Sequence, residues 1–347
     1  MDYFAFQWHI TEACDQRCKH CYIYFLGSHA KFVEMPLPDM RAVLDNIKVF
    51  CKKANRLPYL YITGGDPILH PNFWDLTEMI KEEGIRFAIL GNPFHLTPEV
   101  CARLRDCGCV KYQLSLDGLQ ETHDRIRQPC SYEATMNAIP ILRDAGIDVA
   151  IMATVSKWNV AEMPELVDEV VKNKADIFAF ARYCPSLMDR DTTCSPEEYR
   201  DMMDRCWKKF QQYEDSETYF NLKDHLWTLY RYEHGDFDPN DYPDDEYVYD
   251  GCNCGNSHLT ILSDGAVYAC RRMESKVGNA LEDDLYDLFT GPKMDAYRVY
   301  ENFEKCSKCE LLRFCRGCPA VAKGYHGDMY AADPQCWKVI KIEGCQD

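Results

Sequence analysis

Three cysteines near the start of the chain, in "ACDQRCKHCY" (13–22), are spaced Cys14-x3-Cys18-x2-Cys21. Thiolates are ligands for zinc and for iron–sulfur clusters. A structural zinc site takes four protein ligands, so three thiolates leave one position open, and an open position is where a substrate or cofactor binds. On spacing alone, zinc with a distant fourth ligand stays an alternative. A second set of cysteines fills the far end of the chain: Cys252, Cys254 and Cys270, then Cys306, Cys309, Cys315 and Cys318 within "CSKCELLRFCRGC", and finally Cys336. Taken alone, that run suits a zinc knuckle as well as an iron–sulfur centre.

The rest of the composition narrows the setting. The 347 residues include 20 cysteines, yet the N-terminus has no basic segment followed by a long apolar stretch, so no signal peptide is expected. A reducing cytoplasm is therefore the expected compartment, and cysteines there bind metal or react more often than they pair. No apolar run approaches the roughly 18 residues of a membrane span. A net charge of −17 argues against a nucleic-acid partner, whose phosphates need a basic surface, and reads instead as solubility.

These cysteines must be positioned by regular elements. Short apolar segments at 4–10, 59–63, 86–90, 111–116, 149–155 and 177–182 read as strands, separated by amphipathic helices such as 71–84 and 163–173. Asn72 is placed to cap the first of those helices and Gly84 to end it. Strand–helix alternation predicts an α/β fold of parallel strands with right-handed crossovers, either an open sheet or a partial barrel. In both, chemistry collects at the C-terminal strand ends. The cysteine triad, "GGD" (64–66), "SLDG" (115–118) and "RYCP" (182–185) all fall just there. Beyond them, 195–234 reads as helical, and 235–251 is an acidic linker with seven carboxylates. "LTILSDGAVYACR" (259–271) reads as a hairpin about Asp264-Gly265. The expected divisions are a core over 1–190, a helical bridge and acidic linker over 191–250, and a cysteine-rich domain over 251–347.

The triad followed by Tyr22 resembles the radical S-adenosylmethionine (radical SAM) superfamily. The resemblance implies a partial (β/α)6 TIM-type barrel in which Cys14, Cys18 and Cys21 hold a [4Fe–4S] cluster and SAM chelates the fourth iron. Reductive cleavage of SAM would then yield a 5′-deoxyadenosyl radical that abstracts a substrate hydrogen. "YITGGDP" (61–67) resembles the family's GGE motif, which implies that Gly64 and Gly65 let backbone approach the ligand and that Asp66 faces the SAM ammonium; Asp for Glu shortens the reach. By the same resemblance Ser115 and Asp117, in "YQLSLDG", lie near the SAM ribose or carboxylate. Arg127, in "HDRIRQ", would pair with the SAM carboxylate, with Gln128 standing where the family has Gly.

The far cysteines resemble the SPASM extension of radical SAM enzymes, with two residues rather than three between Cys315 and Cys318. That resemblance implies two auxiliary clusters, the first on Cys254, Cys270 and Cys318 with Cys252 as fourth ligand, the second on Cys306, Cys309, Cys315 and Cys336. Three [4Fe–4S] clusters are then expected in all. If Cys252 does not bind, the first auxiliary cluster has an open iron. Of the nine cysteines left over, Cys51, Cys101, Cys107 and Cys206 fall in helical stretches and read as packing residues, and Cys345 sits near a fraying end. Cys184 follows the sixth strand at the mouth of the site, where a thiol is able to donate a hydrogen atom, although packing is the commoner role.

SPASM enzymes mostly modify peptides, so a ribosomally synthesised precursor peptide is the implied substrate, and thioether or another crosslink, or epimerisation, the implied outcome. An electron donor such as flavodoxin or ferredoxin is also implied. Cys14 lies so near the start that no leader-binding domain is expected before it, which points to a separate leader-binding partner or to the SPASM surface itself. Sulfatase-type formylglycine maturation is disfavoured, because Arg271 follows Cys270 where that group has an Asp base, and a cation cannot accept the proton. Arg271 is instead a candidate holder of a substrate carboxylate. A haem-pathway enzyme acting on a tetrapyrrole needs cations for propionates, and Arg271, Arg272 and Arg182 keep it open. A non-enzymatic metal-binding protein leaves "GGDP" and "SLDG" unexplained.

Overall fold

The computed structural model describes residues 2–24, 33–243 and 247–340. Strands β1 (Tyr3–Thr11), β2 (Leu57–Gly64), β3 (Phe87–Leu90), β4 (Cys109–Ser115), β5 (Asp148–Val155), β6 (Ile177–Arg182) and β7 (Tyr219–Asn221) pair in chain order, every neighbour parallel. Helices α1 (Leu37–Ala54), α2 (Phe73–Glu82), α3 (Pro98–Asp106), α4 (Gln120–Ile126), α5 (Ser131–Asp144) and α6 (Met163–Lys172) make the crossovers. α7 (Pro196–Gln212), with a Ser195–Glu198 capping box, and α8 (Leu226–Glu233) flank β7. The cysteine-rich segment adds β8 (His258–Ile261), β9 (Ala266–Tyr268) and β10 (Lys276–Asn279), then short helices α9 (Leu285–Thr290), α10 (Pro292–Asp295) and α11 (Pro319–His326).

The strand period explains where the core lies. Phe4, Phe6, Trp8 and Ile10 of β1 and Leu60 and Ile62 of β2 alternate onto the helical side and are buried, as are Val149, Ile151, Ala153 and Val155 of β5. The other face is different. Ala5, Gln7, Tyr59, Tyr61, Lys111, Gln113, Ser115, Met152 and Thr154 remain half-buried, so the concave side of the sheet is an accessible lumen rather than a filled core.

All six strands expected from the sequence are present. β7 was not expected, because 195–234 read as helical throughout. Three residues are too few to show a period of two, and the strand is held by tertiary contacts: it pairs with β6, and Phe220 stacks on Phe210 with ring centroids 4.3 Å apart. The predicted hairpin forms as β8–β9 around Gly265 (φ +81°), but β8 also pairs in parallel with β1, Ala5 opposite His258 through Trp8 opposite Ile261. The cysteine-rich segment thereby extends the barrel sheet to ten strands. Asn72 sits at the start of α2 without a capping bond from its side chain, which donates to Asp75 Oδ2 at 3.1 Å, while Gly84 takes the left-handed conformation (φ +66°) just past its end. Part of the acidic linker (244–246) and Cys345 lie outside the described residues.

Candidate cofactor and cluster sites

β1 delivers the chain to the triad. Past Thr11, the loop is pinned by Ala13 N–H donating to Thr11 Oγ1 (3.0 Å), Cys21 N–H to the Cys18 carbonyl (3.1 Å) and Lys19 N–H to the Ile126 carbonyl (2.9 Å). The end of β2 locks beneath it: Gly65 N–H donates to the Thr11 carbonyl (2.8 Å) and Asp66 N–H to the Ala13 carbonyl (2.7 Å). A Cβ on Gly64 would stand 2.1 Å from the Thr11 oxygen, and one on Gly65 2.1 Å from the Ala13 oxygen. The close approach these glycines permit is therefore to the cysteine loop itself.

Asp66 is fully buried beside this loop. Asn92 N–H reaches its Oδ1 at 3.4 Å, and its Oδ2 has no partner. Burial, then the nearby charge of Asp15, pushes its carboxyl up to about 7. An orphaned buried carboxylate oxygen calls for a donor, ideally a cationic one. The Asn92 side chain bridges the two features, donating to Cys14 Sγ (3.3 Å) and to Asp15 Oδ1 (2.7 Å), and His95 Nε2 is 2.9 Å from Asp15 Oδ2.

Asp117 and Arg127 form a unit. Asp117 is fully buried and its oxygens accept from Arg127 Nε (2.6 Å) and Thr154 N–H (2.8 Å), while Asn159 donates to its carbonyl (2.7 Å). Burial alone would raise its carboxyl, but Arg127, His20 and His123 outweigh that and hold it below the usual range. With both oxygens occupied, Asp117 positions Arg127 instead of presenting its own charge to a ligand. The Arg127 Nη1 atom lies 3.6 Å from Cys18 Sγ, beside the triad. Ser115 ends β4 half-buried at the lumen, and Tyr22, 44% exposed, lies 4.9 Å beneath the Arg271 guanidinium. Arg271 Nε is buried without a partner.

The distal cysteines gather into two sets. Cys252 shares one electrostatic neighbourhood with Cys254, Cys270, Cys318 and His225. Cys184 joins that set beside Cys318, and Arg272 donates to Cys318 Sγ at 3.8 Å. Cys306, Cys309, Cys315 and Cys336 line a single pocket with Leu229 and Leu311. Cys51, Cys101 and Cys206 are buried within helices and Cys107 at a helix end, as packing residues should be.

All nineteen described cysteines are free thiols. Burial pushes Cys18 and Cys270 up to about 11 and Cys306 to about 12, so ionising them needs positive charge such as a metal centre supplies. The size of that centre can be tested. Tetrahedral zinc with bonds of about 2.3 Å draws its sulfurs to about 3.8 Å of one another. Among the described residues, Asp15, Asp66 and His95 alone form a group of three or more potential ligands within 4.8 Å, so no cysteine set is that tight. A cluster of several irons, which places its thiolates farther apart than a single zinc ion does, does not require sulfurs that close together.

Arg182 departs from expectation. It was a candidate for binding propionates, yet it is buried and bound to Asp224 Oδ2 (3.0 Å) and to both oxygens of Asp333 (2.7 and 2.6 Å). It ties β6 to the cysteine-rich segment. The sequence reading also missed Asn92 and His225. Asn92 carried a usable signal, since "LGNP" follows β3 at the C-terminal edge; His225 carried none.

Residues 8–170 match the radical SAM superfamily, and residues 252–319 match SPASM, an iron–sulfur cluster-binding domain. The chain is 25% identical to the AdoMet-dependent heme synthase of Methanosarcina barkeri, covering 95% of each chain. It is 26% identical to the mycofactocin maturase MftC of Mycobacterium ulcerans, over 95% of this chain and 86% of that one. Streptococcus suis SuiB has the same fold, solved with S-adenosylmethionine (TM-score 0.75, 20% identity, 97% of this chain and 78% of that chain) and with its precursor peptide SuiA (TM-score 0.74, 21% identity, 97% and 76%). The open triad, the extended parallel sheet and the paired thiol sets agree with these matches: the chain belongs to the radical SAM superfamily and carries a SPASM iron–sulfur cluster-binding domain.

Proposed function

We propose that this enzyme uses a 5′-deoxyadenosyl radical to modify a ribosomally synthesised peptide, forming a thioether or another crosslink. The observation that carries the radical SAM part is the orphaned oxygen of Asp66 beside an open set of three thiols. Bound together, a [4Fe–4S] cluster and SAM supply one-electron cleavage of SAM to methionine and the radical. The chain's own residues do the rest. Gly64 and Gly65 let β2 dock beneath the cysteine loop, and Asp66 meets the SAM ammonium. Asn92 and Arg127 direct donors at Cys14 and Cys18, which lowers the electron density on those sulfurs, and Asp117 fixes Arg127 in place. Ser115 and Tyr22 border the ligand at the strand ends.

In this reading Cys252, Cys254, Cys270 and Cys318 hold a first auxiliary cluster and Cys306, Cys309, Cys315 and Cys336 a second, for three [4Fe–4S] clusters in all. A cytoplasmic flavodoxin or ferredoxin supplies electrons, and a separate protein presents the leader of the precursor peptide. Support for a peptide comes from the likeness to MftC and to SuiB, whose precursor peptide has been seen bound. A second reading, chemistry on a tetrapyrrole side chain, is favoured by full-length similarity to heme synthases. Formylglycine formation gains nothing, since Arg271 and Arg272 follow Cys270. Anaerobically reconstituted enzyme, given reductant and SAM, separates the readings. A short cysteine-rich peptide encoded beside this gene should raise 5′-deoxyadenosine above the substrate-free rate and change mass. Stimulation by an iron porphyrin alone would replace the peptide reading with the tetrapyrrole one.

A further inference from the structure

Asp66 is not the only carboxylate at the open set of thiols. Asp15 follows Cys14 directly, and one oxygen of Asp15, one of Asp66 and a ring nitrogen of His95 all lie within 4.8 Å of one another. The group is held from two sides. From the core, the Asn92 side chain donates to Asp15 Oδ1 (2.7 Å) and to Cys14 Sγ (3.3 Å), while Tyr112 Oη donates to the Asn92 carbonyl (3.0 Å). From the surface, His95 Nε2 stands 2.9 Å from Asp15 Oδ2. Asp66 forms the buried end of the group, fully enclosed, and its Oδ2 atom has no partner among the described residues. The side chains of Asp15 and His95 are 32% and 38% exposed, which leaves the other end open to a ligand. Among the described residues, His95 is also the sole basic side chain ion-paired to either carboxylate. Burial first and the Asp15 charge second hold the Asp66 carboxyl up at about 7. Two carboxylates this close repel each other, and a hydrogen-bond donor shared between them relieves both.

The grouping bears on the departure in "GGD", where Asp66 is one methylene shorter than the Glu of the motif it resembles. We propose that Asp15 is a second acceptor for the amino group of SAM, shared with Asp66, and that His95 and Asn92 hold Asp15 in place for it. The inference rests on the proposed radical SAM function. An ammonium releases one proton to solvent when its nitrogen becomes an iron ligand, and the amine that remains keeps two N–H donors, one for each carboxylate. Asp66 then does not have to hold the amine alone, and the loop that carries Cys14 supplies what the shorter side chain lacks. His95 is a positioning residue in this arrangement: it acts on SAM only through Asp15.

The test uses the full chain, reconstituted anaerobically, with iron and other metals assayed in every sample. Two probes are compared by equilibrium dialysis: SAM, and its deamino analogue in which hydrogen replaces the amine. Wild type should bind SAM more tightly than the analogue. Asp15→Asn, which keeps the shape and an acceptor for Asn92, should cut that preference roughly tenfold, the loss of one charge-assisted hydrogen bond. Its affinity for the analogue and its iron content should stay at the wild-type level. His95→Ala should cut the same preference by a smaller factor, because Asn92 still holds Asp15; it also carries the test if Asp15→Asn loads iron poorly. An unchanged preference in both variants overturns the proposal. So does an equal loss of affinity for SAM and for the analogue, which would make Asp15 a part of the loop's framework and nothing more. A metal other than iron that wild type retains and Asp15→Asn loses overturns it as well, in favour of a metal ion at the three side chains. Formation of 5′-deoxyadenosine by wild type, measured alongside, reports on the radical SAM reading separately: its absence counts against that reading, and its presence leaves the Asp15 comparison to stand or fall alone.

Discussion

Replacing Asp333 should loosen the joint between the barrel and the cysteine-rich segment. Arg182, Asp224 and Asp333 have side chains only 1%, 4% and 2% exposed. Asp333 accepts two contacts from Arg182 Nη1, the N–H of Cys318 (2.8 Å) and the N–H of Gln335 (3.0 Å). Asp333→Ala leaves the guanidinium with one carboxylate and strands two backbone donors, and breaking a buried pair in this way costs about 3–5 kcal/mol. At about 2–4 °C per kcal/mol, the melting temperature of the holoprotein should fall by roughly 6–20 °C. Asp333→Asn removes the charge but keeps an acceptor, and leaves Arg182 and Asp224 as a neutral pair, so its cost should be smaller, about 1–3 kcal/mol. Because the Cys318 N–H depends on Asp333, the alanine variant should also carry less iron than wild type. Circular dichroism melts under anaerobic conditions, with iron assayed in the same samples, give both numbers. An alanine variant that melts within about 1 °C of wild type with full iron would refute the claim that this triad holds the two parts together.

Other consequences follow from the site geometry. Asp66→Ala should weaken SAM binding by roughly 10- to 100-fold, the loss of one charge-assisted bond, while the triad still loads iron; equilibrium dialysis with labelled SAM decides it, and unchanged affinity contradicts the role given to Asp66. Gly65→Ala should prevent normal loading of the triad, since its Cβ would collide with the Ala13 oxygen at 2.1 Å; a variant with wild-type iron content argues against that steric reading. Asn92→Ala removes a donor to Cys14 Sγ, so the reduction potential of the triad's cluster should become more negative in an electron paramagnetic resonance titration.

The sequence was most legible where the signal is local. The triad, "GGD", the Asp264-Gly265 hairpin and six of the seven strands β1–β7 each depend on residues within a few positions of one another, and each appears in its expected place. What escaped depends on contacts between distant residues. Arg182 read as a free cation because its partner Asp333 is 151 positions away, and Cys184 read as a thiol at the mouth because its contact, Cys318, comes from another segment. Asp117 read as a ligand-facing carboxylate, since nothing in "SLDG" reveals that Thr154 and Arg127 occupy both its oxygens. The glycines of "GGD" read as making room for a ligand, whereas the crowding at both comes from Thr11 and Ala13 on a neighbouring strand end.

The central claim, a SAM-binding cluster on Cys14, Cys18 and Cys21, is tested most directly by measuring 5′-deoxyadenosine from anaerobically reconstituted wild type, Cys18→Ala and Cys309→Ala. Wild type should bind iron and sulfide and cleave SAM, Cys18→Ala should lose cleavage entirely, and Cys309→Ala should keep cleaving SAM while failing to form product. Cleavage by Cys18→Ala at the wild-type rate, or a wild-type protein that takes up zinc in place of iron at those three cysteines, would contradict the account.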